Sequence, residues 1–83
     1  MTMIYTILYL EISHTPYHLY LDKTGNLYTV TLYDKDTKKS IDRDFQSIDE
    51  AYTVYGKISE WYAKGLYRQE EKESYLLTGV IPA

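Results

Sequence analysis

No cysteine occurs among the 83 residues. Disulfides and thiolate zinc sites are both excluded, so a small fold must hold by packing alone. Lysine and arginine number 9 against 12 aspartates and glutamates, a formal net charge of -3. That balance disfavours generic phosphate-backbone binding, which draws on clustered cations. Long apolar runs are missing too. The first twelve residues, MTMIYTILYLEI, have no cationic start, no small-residue cleavage site and too little length to cross a bilayer. They read as a strand, and the expectation is a cytoplasmic protein with no membrane attachment.

Tyrosine is what the chain has in excess, with 11 residues against one Phe and one Trp. A tyrosine ring buries much apolar area while its hydroxyl needs water or a partner, which suits half-buried and interface positions. Hydrophobic residues at 45% and charged residues at 25% are ordinary globular values. The length predicts one compact domain over 1–83, since a chain of this size buries only about 60–65% of its unfolded surface.

Alternation over residues 3–12 puts Ile4, Leu8, Leu10 and Ile12 on one face and Met3, Tyr5, Ile7 and Tyr9 on the other. Both faces are apolar, which predicts a central strand or one covered by a partner chain. SHTP supplies turn formers, and a second strand follows over 17–22, with His18, Tyr20 and Asp22 on one side and Tyr17, Leu19 and Leu21 on the other. DKTGN at 22–26 predicts a tight hairpin through Gly25 and Asn26. A third strand runs from Leu27 to Tyr33, and the charged SIDRDF segment makes a fourth, placed at a sheet edge because charges discourage edge pairing.

Ser47 with Glu50 three residues later gives a capping box and the start of an amphipathic helix. Its expected core stripe includes Ile48, Ala51, Tyr52, Tyr55, Ile58, Tyr62 and Leu66, with Gly65 as the C-terminal cap. Trp61 falls with Val54 on a flank beside Lys57, which marks it as a partly exposed contact residue. RQEEKES reads as a solvated connection or short helical extension, and 75–81 as a last strand ended by Pro82. The expected fold class is α+β: an antiparallel sheet of about five strands, in sequence order β-β-β-β-α-β, with one helix on one face.

Chemistry-bearing patterns are weak. His14 and His18 stand four apart, but Pro16 between them breaks the helix that spacing would need to align two metal ligands. DKDTKKSIDRDF begins like a calcium loop, yet Lys38, Lys39 and Phe45 occupy the positions of an oxygen ligand, the glycine and the bidentate glutamate. No nucleophile turn or paired-carboxylate signature appears. The reading is a non-enzyme without metal or cofactor.

The expected function is a small protein-binding module, self-associating as a homodimer through a tyrosine-rich sheet face. Tyr5, Ile7, Tyr9, His18 and Tyr20 form that face, and Trp61 is a further contact. The composition also suits a viral or mobile-element accessory protein that binds another protein. The alternative is a single-stranded nucleic-acid binder stacking bases on the same tyrosines, which the acidic balance argues against.

Overall fold

Four strands form where alternation and turn chemistry place them. The computed structural model, which describes residues 3–83, has β1 (Ile4–Glu11), β2 (Tyr17–Thr24), β3 (Leu27–Asp34) and β4 (Lys39–Phe45), then α1 (Ile48–Lys64) and α2 (Gln69–Thr78). The strands make one antiparallel sheet in the order β1-β2-β3-β4, a simple meander with β4 at an edge, as its charges predict. Gly25 at φ 60° is the first of two loop residues between the paired Thr24 and Leu27, the position where type II′ hairpins want glycine. At the next turn the Asp34 carboxylate accepts the Asp36 N–H at 2.9 Å and the Thr37 N–H at 3.3 Å, and Lys38 takes the left-handed conformation.

α1 begins at Ser47, whose Oγ accepts the Glu50 N–H at 3.4 Å, one half of the expected capping box. It ends at Gly65, φ 67°, where the Gly65 and Leu66 N–H groups return to the Tyr62 and Trp61 carbonyls in a Schellman closure. Both helices lie on one side of the sheet, chiefly over β2–β4. Leu19, Leu21, Val30, Ile58 and Leu76 are fully buried between the layers. Each contributes about 1.5–3 kcal/mol through the surface it removes from water.

Three expectations are corrected. The last strand over 75–81 does not form, so among the described residues the sheet has four strands and the helices number two. Glu70 and Glu71 sit at the positive end of the α2 dipole, Glu71 Oε1 accepts the Arg68 N–H at 2.9 Å, and Gly79 ends the helix at φ 78°. Lys72, Tyr75 and Leu76 are buried at helical spacing, which outweighs the β-like composition of the tail.

The second correction follows from the first. α2 covers the Val54 flank of α1, and Trp61 packs edge-on against Tyr67 at 4.7 Å and Tyr75 at 4.8 Å between ring centroids. Trp61 is only 7% exposed and belongs to the core, while Tyr52, expected there, is 42% exposed. Lys72 holds the junction: its Nζ donates to the Leu66 and Tyr67 carbonyls at 3.1 and 2.7 Å and sits 4.7 Å over the Tyr62 ring. These contacts allow a buried lysine.

Third, β1 is an edge strand, not a central one, because a meander leaves its first strand at the margin. The ladder between β1 and β2 also carries a bulge: Thr6 pairs with Asp22 and Leu8 with Leu21, leaving Ile7 as an extra residue.

Candidate functional site

Cross-strand partners share a face, so the register sorts every strand residue. Leu8, Leu10, Leu19, Leu21, Val30, Leu32, Ile41 and Phe45 point to the helices. The opposite, outer face is built of rows. Tyr9, Tyr20, Thr31 and Asp42 form one, and Glu11, His18, Tyr33 and Ser40 the next. On the other side of the tyrosine row lie Thr6, Asp22, Thr29 and Asp44, followed by Ile4, Thr24 and Leu27.

Four rings gather at one end of this face. Tyr9 lies 5.0 Å from Tyr20 and 5.6 Å from His18, and His18 meets Tyr33 edge-on at 6.3 Å. The Tyr9 hydroxyl and His18 Nδ1 are hydrogen-bonded at 2.8 Å, with the donor set by the imidazole tautomer. Partial desolvation, then the Glu11 carboxylate and the neighbouring Tyr20, hold the Tyr9 hydroxyl above the ordinary tyrosine range. His18 Nε2 is shut away from solvent and has no hydrogen-bond partner. Tyr9 remains 49% exposed, and neither helix covers the cluster.

Carboxylates frame the rings. Thr6 Oγ1 donates to Asp22 at 2.7 Å and Thr29 Oγ1 to Asp44 at 2.6 Å, each within its own row, which fixes where these negative charges sit. Glu11 and Asp42 are exposed beside them. No strand lysine or arginine shares this face: Lys23, Lys39 and Arg43 pair across the ladder with residues of the helix side.

Of the residues singled out from sequence, Tyr9, His18 and Tyr20 come together. The bulge separates Tyr5 and Ile7 from them. Tyr5 is opposite Lys23 on the helix side, where its hydroxyl reaches Met3 Sδ at 3.5 Å, and Ile7 packs against the core. Trp61 lies in the opposite layer. Asp22 stands on the side expected for it with His18 and Tyr20, whereas Tyr33, Asp42 and Asp44 were missed, although carrying the two-residue period from His18 and Tyr20 across the Gly25 hairpin would have found Tyr33 opposite His18.

Among the described residues, no group of three or more His, Cys, Asp and Glu side chains could hold a metal ion. His14 lies in the β1–β2 turn at φ 63°, bordering an open depression of about 590 Å³ that contains none of the four rings. No helix among the described residues is long and apolar enough to cross a membrane. Comparison with protein-family models, with curated proteins and with solved structures gave no significant match, so the reading of this face rests on its own geometry and chemistry.

Proposed function

We propose that the protein is a small non-catalytic protein-binding module whose working surface is the outer face of its sheet. The observation that carries this reading is the uncovered cluster of Tyr9, His18, Tyr20 and Tyr33. Ring clusters of this kind supply rigid contact area at low entropic cost, and interface cores are enriched in them. Ile4, 67% exposed, and Leu27 extend apolar surface at the far end of the same face.

Single-stranded nucleic acid is the poorer occupant. Bases could stack on Tyr9 and Tyr20, but their phosphates would meet Glu11, Asp22, Asp42 and Asp44 with no lysine or arginine on the face to neutralise them. A second copy stacked face to face meets the same difficulty, because each copy brings the same carboxylates. The reading therefore moves from self-association to a partner of different sequence.

The test is selection of a random dodecapeptide library on the folded protein. Peptides recovered on wild type should bind Tyr9→Ala about tenfold more weakly or worse, and bind Tyr52→Ala, altered on the helix layer, as wild type. Circular dichroism confirms that both variants fold. Peptides that ignore Tyr9→Ala, or that depend on Tyr52 instead, would sink the proposal.

A further inference from the structure

Resting on that reading of the outer face, we infer that the partner segment is cationic, an arginine- and lysine-bearing stretch that lays guanidinium or ammonium groups over the tyrosines and between the carboxylates. Charge is sorted by face in this sheet. The helix side carries Lys23, Lys39 and Arg43 with Asp34 as its single strand carboxylate; the outer side carries Glu11, Asp22, Asp42 and Asp44 and neither lysine nor arginine. The outer carboxylates also lack internal partners of opposite charge. The salt bridges of the described residues, Lys64 with Glu60 and Arg68 with Glu71, both belong to the helical half.

The helix side shows what a cation does beside these rings. Arg43 stands 4.9 Å over Phe45 and Lys23 5.8 Å over Tyr28. On the outer side the rings are present and the cations are not. Tyr9 and Tyr20 lie on this side, Tyr9 49% exposed, aromatic rings attract cations through their quadrupole, and Asp42 follows them in the same row. Asp22 and Asp44, held by Thr6 and Thr29, are already oriented and lose little freedom on binding. Arginine suits such a surface better than lysine, since its planar group stacks on a ring while its edge donates to a carboxylate.

The experiment is a nuclear magnetic resonance titration of the full chain with N-acetylated hexa-arginine amide, with hexa-lysine and hexa-glutamate alongside. Hexa-arginine should shift signals of Tyr9, Tyr20, Tyr33 and Asp42, bind more tightly than hexa-lysine, and weaken several-fold between about 50 and 300 mM salt. The Asp22→Asn, Asp42→Asn, Asp44→Asn triple variant should bind about tenfold more weakly, with its threonine hydrogen bonds retained because asparagine also accepts them. Shifts confined to the acidic helix residues, or a triple variant that binds as wild type, would overturn the inference. The library separates this failure from that of the broader reading. Selected peptides that need Tyr9 but carry neutral or acidic sequences defeat the cationic partner and leave the binding face standing, whereas peptides indifferent to Tyr9 remove the face itself.

Discussion

On the helix side of the sheet, Leu19, Leu21, Val30 and Leu32 are withdrawn from solvent, and the strand cations Lys23 and Arg43 stand over aromatic rings. On the other side the same strands present Tyr9, His18, Tyr20 and Tyr33 among carboxylates. One alternation writes both surfaces. The difference separates two kinds of chemistry on one sheet: one side is withdrawn into the core, and the other keeps its rings and carboxylates outside the packed layers.

The comparison breaks most visibly at Trp61. Trp61→Ala should cost about 3–5 kcal/mol, because it empties a site enclosed by Tyr67 and Tyr75, and urea denaturation will register it as a lower midpoint. An effect below about 1 kcal/mol would mean that α2 does not cover this flank of α1.

A second difference between the sides appears at alkaline pH. Tyr17, Tyr55, Tyr62 and Tyr75, all in the helix layer or facing it, have hydroxyls raised above the usual value of 10.0, in each case chiefly by desolvation and most strongly at Tyr62, whereas on the outer face Tyr9 alone is raised. A raised folded-state value contributes stability that is complete below the unfolded value and lost as pH rises past it. Burial moves Lys72 the other way, lowering its value, so its contribution grows with pH, but it is one group against five. The denaturation midpoint should therefore fall above about pH 10, and a midpoint unchanged to about pH 11 would contradict the burial of these rings.

The smallest effect belongs to the outer face. Asp42→Asn should alter stability by no more than about 0.5 kcal/mol, since Asp42 is exposed and its carboxylate makes no ion pair among the described residues. A larger loss by the same urea measurement would assign this carboxylate a structural role and narrow the contrast between the faces.

Much of the fold is legible in the residues. The Gly25 hairpin, the charged edge at β4, and α1 with its Ser47 and Gly65 ends follow from local chemistry. α2 was harder, because Tyr75, Leu76, Val80 and Ile81 look like a strand until Lys72 is counted with Tyr75 and Leu76 at helical spacing. Missing α2 displaced the apparent core of α1 and left Trp61 on an imagined surface.

The face was half legible. Tyr9, His18 and Tyr20 follow from alternation, whereas Tyr5 does not, because a bulge changes the count without any local composition to announce it. Charge was hidden in a different way. From 34 to 44 the cations and carboxylates cancel along the chain, but Asp42, Arg43 and Asp44 alternate, and a strand sends neighbours to opposite sides. A segment neutral in sequence is therefore acidic on one surface and basic on the other.

The bulge at Ile7 also bears on how β1 tolerates a change of length. Thr6 and Leu8 already face the consecutive residues Asp22 and Leu21, so a chain lacking Ile7 would join them as ordinary neighbours in an unbroken ladder. Tyr5 and Tyr9 would each keep the side they occupy. In most strands the loss of one residue turns everything beyond it over. Here the strand carries a spare position, and its tyrosines can survive a deletion that would elsewhere exchange surface for core.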